Sequence, residues 1–336
     1  MRYFMSYIDD GFLDDFFKQK PTDMESESDE LDIWRDWLSF VRNKTDIDLT
    51  TSINTKDLAY NINSSITREL IDDYFQGKPH ITINTKKLET TSAKALVLNS
   101  QKPTFIFRND LENIEITEAK TGFCYITGTC FFEKWRHYFK TKTYSISKNT
   151  TQNQLFKWSD LFVPYRYPSN AFVIVDNYIF SNKPNIKNNL LKILKELLMP
   201  TKQVSTEIDL IIIAESFYKE VNSNGSEISI DKLYKDVIKY LREDLKLYNF
   251  NLCIVKAKYH DRLILSNYFV INSGNSFNYF NYDDVTILPQ NTRLSLTPFT
   301  YDYSFIDTYK DELSKIIENC EEFKGNKQNR LLKLFV

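Results

Sequence analysis

At 336 residues the chain is longer than most single domains, so we expect two domains. Its net charge of −2 excludes a uniformly basic nucleic-acid-binding protein, although a local basic patch stays compatible with that sum. No apolar run is long enough to cross a membrane, and four aspartates near the amino terminus argue against a secretory signal. We therefore expect a cytoplasmic protein. The four cysteines form no C-x-x-C pair and fit neither a zinc site nor a disulfide framework. We predict no metal site and no cofactor.

The first half of the chain predicts a mixture of helices and strands. Residues 21–30 are acidic and predict a solvated loop, whereas apolar residues at helical spacing from Ile33 to Val41 predict a helix whose tryptophans face the core. A second helix is predicted from Ser65 to Phe75. Between residues 79 and 150, β-branched and aromatic residues predict strands in HITIN, TFIFRN, IEITEA, FCYITGTCFF and TKTYSIS. We predict a mixed α+β amino-terminal domain over residues 1–165, without assigning it a role.

The second half predicts a more regular alternation. The proline-containing segment 151–170 is typical of a linker and sets the predicted domain boundary. After it, AFVIV, EIDLIIIAE and FNLCIVKA predict buried strands, and NIKNNLLKILKELL and the segment from Ile230 to Leu245 predict helices. Strands that alternate with helices favour parallel strands joined by covering helices. We therefore predict an α/β domain over residues 166–336.

Residues 259–278 combine side chains that suit a phosphate. A histidine can attack phosphorus or transfer a proton near neutral pH, and an arginine presents a planar fork of donors to phosphate oxygens. Because residues two apart share a face of a strand, His260 and Arg262 are predicted to project together. The turn around Gly274 carries hydroxyl and amide groups, so the predicted phosphate-binding residues are Arg262, Ser273, Asn275, Ser276 and Asn278.

This stretch resembles the phospholipase D-like superfamily, whose members carry H-x-K-x4-D, a strand and a G-S-x-N turn. Here the order is His260-x-Arg262-x4-Asn267, the strand YFVIN and the turn SGNSFN. The resemblance covers roughly residues 170–300 and implies a mixed sheet flanked by helices. It also implies catalytic roles for His260 as nucleophile, Arg262 as phosphate ligand and Asn267 as the group that orients the histidine. The arginine, the asparagine and the single copy of the motif indicate a degenerate member of the H-D-R type.

Three interpretations of His260 stay open: a structural histidine, a phosphate-binding site without catalysis, and a working enzyme. His80 and His137 lack the partners of a second motif, so an enzyme would need a second copy of the chain. We favour recognition of nucleic acid or another phosphodiester, in a bacterial defence or regulatory setting that the resemblance implies. The alternatives are a homodimeric, metal-independent phosphodiesterase or nuclease, and a protein-interaction module with a vestigial site. A further alternative is binding to an acidic membrane surface.

Two patterns in the first half are also compatible with nucleic-acid chemistry. Glu118-x-Lys120, with Asp110 or Glu112, is similar to half of a metal-dependent nuclease site, but we favour a solvated strand of alternating charge. The segment EKWRHYFKTK interleaves cations with aromatic residues, as single-strand-binding surfaces do. The predicted nucleic-acid patch consists of Lys134, Trp135, Arg136, Lys140 and Lys142. An amphipathic element with buried aromatic residues is the interpretation that we favour there.

Overall fold

The computed structural model describes residues 2–19, 29–51, 65–84, 102–110, 112–147, 156–162, 167–198, 207–219, 225–280 and 291–333. The chain divides into two units, Met1–Phe139 and Lys140–Val336. Most of the acidic loop predicted over 21–30, and parts of the linker predicted over 151–170, lie outside the described residues. Within the described ranges, no helix is both long enough and apolar enough to cross a membrane.

The first unit is built on a five-stranded sheet in which all neighbouring strands are parallel. Its elements are β1 (Phe4–Asp9), α1 (Asp10–Lys18), α2 (Asp29–Lys44), β2 (Thr45–Thr50), α3 (Ser65–Phe75), β3 (Ile81–Asn84), β4 (Thr104–Phe107), α4 (Ile114–Thr121), β5 (Cys124–Ile126) and α5 (Phe131–Tyr138). The strands follow the order β3-β2-β1-β4-β5. Parallel neighbours need crossover connections, and helices separate β1 from β2, β2 from β3 and β4 from β5 along the chain.

The first unit is therefore an α/β layer, which corrects the predicted α+β arrangement. Two stretches predicted as strands are helical: IEITEA lies in α4, and the second half of FCYITGTCFF continues into α5. The reason is topological, because β4 and β5 are parallel neighbours and the chain between them must return across the sheet. Gly122 ends α4 with a φ of 72°, a left-handed conformation that glycine adopts without steric cost.

Aromatic rings fill the core of the first unit. Trp37 from α2 is fully buried and packs against Phe16 from α1, with ring centroids 4.2 Å apart. Trp135 from α5 packs against Phe107 from β4. The prediction that the helix from Ile33 to Val41 turns its tryptophans toward the core is confirmed, since Trp34 is buried as well.

The second unit is built on an eight-stranded mixed sheet. Its elements are β6 (Lys142–Ile146), α6 (Trp158–Phe162), β7 (Ala171–Val175), α7 (Lys183–Asn185, a π-helical turn Ile186–Leu190, then Leu191–Leu197), β8 (Ile208–Ala214), α8 (Ile230–Glu243), β9 (Phe250–Lys256), β10 (Arg262–Ser266), β11 (Phe269–Ser273), β12 (Thr292–Pro298), α9 (Ile306–Asn319), β13 (Glu322–Gly325) and α10 (Arg330–Lys333). The strands follow the order β13-β9-β8-β7-β10-β11-β12-β6. Strands β7, β8 and β9 are parallel, and the other neighbours are antiparallel.

The alternation of strands and helices predicted from β7 to β9 is confirmed. Every residue of β8 is buried, as its continuous apolar run predicts for a strand covered on both faces. A mixed sheet flanked by helices is likewise confirmed. That this sheet is specifically phospholipase D-like stays a prediction.

The structure divides the chain earlier than the predicted boundary between residues 165 and 166. Strand β6 pairs with β12 along its whole length, from Lys142 opposite Leu296 to Ile146 opposite Thr292. The residues from Lys140 onward therefore belong to the second unit.

Candidate functional site

The candidate site lies at one edge of the second sheet. Strands β7, β8, β9 and β11 run in the same direction, and β10 runs against them. Their carboxyl ends therefore meet the amino end of β10, and three loops gather there: Asp176–Tyr178, Ala257–Asp261 and Ser273–Asn278. We call this region the carboxyl edge. Ligands of open α/β sheets bind outside the carboxyl ends of the strands.

His260 and Arg262 occupy the start of β10 but do not project as a pair from one strand face. His260 precedes the strand, and its side chain is 96% exposed. Arg262 is the first residue of β10 and is partly buried; its Nη1 donates to the backbone carbonyl of His260 at 3.1 Å. The expected strand alternation fails for His260 because the chain enters β10 from a bend.

Asn267 does not approach His260. It follows the last residue of β10, at the opposite end of a strand that rises about 3.3 Å per residue. Its side chain is buried and exchanges hydrogen bonds with Asn170, at 3.3 Å each. Asn267 is therefore too far from His260 to orient it, and the predicted role is wrong. The carboxylate near the imidazole belongs to Asp261 instead, with Oδ1 3.1 Å from His260 Nδ1.

The turn after β11 closes around a buried carboxylate, that of Asp176. The Ser276 hydroxyl donates to Asp176 Oδ2 at 2.8 Å, and the backbone N–H of Phe277 donates to the same oxygen at 2.6 Å. The backbone N–H of Tyr178 donates to Oδ1 at 3.0 Å. Burial raises the pKa of Asp176, while these hydrogen bonds and the nearby Arg262 charge oppose that rise. The sequence gives no sign of this role for Asp176, because the turn that it holds lies 100 residues further along the chain.

The predicted phosphate-binding residues fall into two groups. Ser273, Ser276 and Asn278 use side-chain donors inside the protein: Ser273 bonds with Tyr279, Ser276 with Asp176, and Asn278 with the carbonyl of Tyr178. Asn275 is partly exposed, and its side-chain amide has no hydrogen-bond partner among the described residues. Arg262 Nε is buried and has no partner in the part of the chain that the structure describes, so it does not reach a ligand. The side-chain hydrogen bond recorded there for Arg262 comes from Nη1 alone. The Asn275 amide and the terminal nitrogens of Arg262 thus keep donors for a ligand.

Asn177 fixes the loop that carries His260. Its Nδ2 donates to the carbonyl of Tyr259 at 2.9 Å, and its Oδ1 accepts from the N–H of Tyr259 at 3.2 Å. Its own carbonyl accepts from the N–H groups of Glu215 and Ser216 at the end of β8. Asn177 therefore connects the end of β8 with the loop before β10.

The predicted nucleic-acid patch is not a continuous surface element. Trp135 is fully buried in the first unit, so it cannot stack on a base, and Lys134 Nζ pairs with Glu118 at 2.7 Å. Lys142 Nζ donates to the carbonyl of Asp160 at 3.2 Å in the second unit. Arg136 and Lys140 are exposed. The burial of Trp135 confirms the favoured interpretation, an amphipathic element with buried aromatic residues.

The Glu118-x-Lys120 pattern lies on helix α4 rather than on a solvated strand. Glu118 is buried and accepts from Lys134 and from the backbone N–H of Tyr125. Asp110 pairs with Arg108, whose Nη2 is 2.7 Å from the Asp110 carboxylate. The favoured interpretation, a solvated strand, is wrong because the segment is helical and Glu118 is buried. Glu118 and Asp110 pair with cations of the protein, which gives no support to the nuclease alternative.

In the first sheet the chain order of the strands reverses between β1 and β4, and the carboxyl ends of these two strands form a second edge of this kind. That position binds ligands in many α/β proteins. Here Asn109 spans it, because its Nδ2 donates to the carbonyl of Gly11 and to Asp15, and its Oδ1 accepts from the N–H of Gly128. Asp9 caps the start of α1. Since the protein's own groups bridge this edge, we place the candidate site in the second unit.

No family model matches the chain, and no curated protein matches it. Among solved structures it is similar to TrmBL2, an archaeal chromatin protein whose structure shows a novel mode of DNA binding, with 11% identity and a TM-score of 0.27. The match covers 54% of this chain and 53% of that structure, so the chain spans about half the length of the relative.

Proposed function

We propose that the second unit recognises a phosphodiester, in nucleic acid, at the carboxyl edge around Arg262. A bacterial defence or regulatory setting follows only from the phospholipase D-like resemblance and belongs to the same proposal. The function that we favour is binding without cleavage.

The observation that carries the proposal is the state of the Arg262 guanidinium. Among the described residues it makes one side-chain hydrogen bond, from Nη1 to the carbonyl of His260, which leaves Nη2 as a donor for a ligand. Its Nε is buried without a partner there and does not reach a ligand. A partly buried guanidinium with spare donors favours an anionic oxygen, because charge-assisted hydrogen bonds are roughly twice as strong as neutral ones. The free amide of Asn275, in the turn opposite β10, supplies a further donor.

The surroundings of His260 favour binding over catalysis. Its ring is almost wholly exposed, and the only side chain that it contacts among the described residues is that of its neighbour Asp261. A nucleophile gains most from a site that fixes it and excludes water. Asn267, the expected orienting group, lies at the far end of β10.

A homodimeric phosphodiesterase is the second candidate, and one contact favours it. The Asp261 carboxylate beside Nδ1 would hold the imidazole with Nε2 free to attack phosphorus. In that case, substitution of His260 would abolish metal-independent cleavage of the ligand.

Fluorescence anisotropy of a labelled single-stranded oligonucleotide with the full chain tests the proposal. We expect Arg262→Gln to weaken binding about 10- to 100-fold, since hydrogen bonds to charged groups contribute about 1.5–3 kcal/mol. The slope of log K against log salt should fall by about 1. The matched control is Lys239→Gln, an exposed cation on α8.

Three outcomes separate the candidate functions. Binding that depends on Arg262 and survives His260→Ala without cleavage supports recognition. Cleavage that His260→Ala abolishes supports the phosphodiesterase. Equal binding by Arg262→Gln and Lys239→Gln overturns the proposal and leaves the interaction module with a vestigial site.

A further inference from the structure

We infer that the ligand of the carboxyl edge is single-stranded nucleic acid and that one of its bases stacks on Tyr178. This inference rests on the proposed function, because Arg262 would hold the phosphate next to the stacked base. Tyr178 follows Asp176 and Asn177 directly, yet the sequence analysis assigned it no role.

Tyr178 presents an exposed ring on a fixed backbone. Tyr178 is 45% exposed, whereas most aromatic residues in the described ranges are buried. Its N–H donates to the buried Asp176 carboxylate at 3.0 Å, and its carbonyl accepts from Asn278 Nδ2 at 2.7 Å and from the N–H of Ser181 at 3.0 Å. A ring whose backbone is already ordered loses little conformational entropy when it stacks on a base.

The backbone of Tyr178 lies near the proposed phosphate site. Tyr178 and His260 each lie one residue from the hydrogen-bonded pair Asn177–Tyr259, which places their Cα atoms within roughly 15 Å of each other. Arg262 reaches back to the carbonyl of His260. One edge thus carries an exposed tyrosine, an exposed imidazole and a guanidinium, the combination of stacking surfaces and cation that binds unpaired nucleotides.

The charges around this edge favour a single strand over a duplex. Duplex binding depends on many cations that neutralise phosphates along both backbones. Here Lys258 is paired with Glu215, whose carboxylate lies 3.7 Å from Lys258 Nζ, and Asp261 stands beside His260. Acidic groups therefore accompany these two cations, and a duplex would also hide the base faces that stacking on Tyr178 needs.

The test compares an oligothymidylate, an abasic oligomer of the same length and a duplex, by anisotropy with the full chain. We expect the oligothymidylate to bind most tightly. Tyr178→Ala should weaken its binding about 5- to 100-fold while leaving the abasic oligomer unaffected, and Tyr178→Phe should retain the binding. The matched control is Tyr248→Ala, which removes an exposed tyrosine that precedes β9, at the opposite edge of the same sheet.

The outcomes distinguish this inference from the proposed function. If Arg262→Gln weakens both single-stranded probes but Tyr178→Ala behaves like Tyr248→Ala, the phosphodiester site stands and the stacking inference is wrong. Preference for the duplex also overturns the inference. If no probe binds in a manner that depends on Arg262, the proposed function fails, and the inference fails with it.

Discussion

At the scale of single residues, the second unit contains a lysine in an apolar setting. Lys310 lies on the buried face of α9 with Ile306, Leu313 and Ile317, and only 4% of it is exposed. Burial lowers the pKa of Lys310 to about 7, and the carboxylate of Asp307 opposes that shift. An amine that titrates near neutrality in the folded protein and well above it in the unfolded chain makes stability depend on pH.

The first prediction follows from the sign of that shift. Between pH 7 and the pKa of an unfolded lysine, near 10.5, the unfolded chain binds a proton that the folded protein does not, so stability should rise with pH across this window. Lys310→Met should raise the free energy of unfolding at pH 6 by on the order of 2 kcal/mol and flatten its pH dependence. Urea denaturation at pH 6 and pH 9 measures both effects.

The control for this prediction is Lys315→Met, an exposed lysine on the same helix. It should leave the pH dependence of the wild type in place. A wild-type stability that is constant between pH 6 and pH 9, or a Lys310→Met variant that retains the slope, would contradict the assignment.

Contacts between residues that are far apart along the chain were not predictable from the sequence. The sequence predicts that His260 and Arg262 lie near each other because they are two positions apart along the chain, although they do not share a strand face. The contacts of Asp176 and Asn177 were not predictable, since their partners lie 100 and 82 residues away and only folding brings them together. The predicted set Ser273, Ser276 and Asn278 consists of polar turn residues, whether they face a ligand or a protein carboxylate, and composition does not separate these cases.

At the scale of elements, an ion pair protects the edge strand β5. In a parallel ladder the N–H and carbonyl of alternate residues point to the same side, and β5 has a neighbour only on the β4 side. The N–H of Tyr125 donates to Glu118 Oε1 at 2.9 Å, and its carbonyl accepts from Lys134 Nζ at 2.9 Å. Side chains of α4 and α5 thus bind backbone groups that an exposed edge would leave open to another strand.

The second prediction concerns this pair. Lys134→Ala leaves the buried Glu118 carboxylate without its cation and should lower the free energy of unfolding by about 3 kcal/mol. Arg136→Ala, an exposed cation on the same helix, should change it by less than about 0.5 kcal/mol. Chemical denaturation of the two variants makes the comparison. Equal stability of both would show that the pair does not support β5, whereas a milder loss in a Glu118→Leu/Lys134→Met double variant would agree with our account.

The secondary-structure elements differ in how well the sequence pattern predicted them. Continuous apolar runs such as β8 were recognisable because a strand buried on both faces needs them at every position. The helix α4 was not recognisable, since its isoleucine and threonine residues suit a strand and its helical state depends on the crossover between β4 and β5. The sheet topology, rather than local propensity, therefore determines that α4 is a helix.

At the scale of the whole molecule, each unit has its own sheet and its own core. The second unit begins just before β6, because β6 pairs with β12. Trp158, in α6, is buried and stacks on Tyr279 with ring centroids 5.0 Å apart. Tyr279 in turn bonds with Ser273 at the carboxyl edge. The segment that the sequence predicts as a linker therefore includes part of the support for the candidate site.

The third prediction is a comparison of two fragments. Residues 140–336 should fold with a cooperative thermal transition, because they contain all eight strands of the second sheet. Residues 166–336 lose β6 and Trp158 and leave the β12 edge unpaired, so we expect aggregation or a non-cooperative transition. Circular dichroism on heating distinguishes them. Equal cooperativity of the two fragments would contradict the assignment of residues 140–165 to the second unit.

The most direct test of the central claim uses the three histidines of the chain. Nuclear magnetic resonance of ¹⁵N-labelled imidazoles would follow His80, His137 and His260 while an oligothymidylate is added to the full chain. We predict that the signals of His260 shift, that those of His80 and His137 do not, and that Arg262→Gln abolishes the shift. An unchanged His260 at saturating oligonucleotide, or a shift that persists in Arg262→Gln, would contradict a phosphodiester site at this edge.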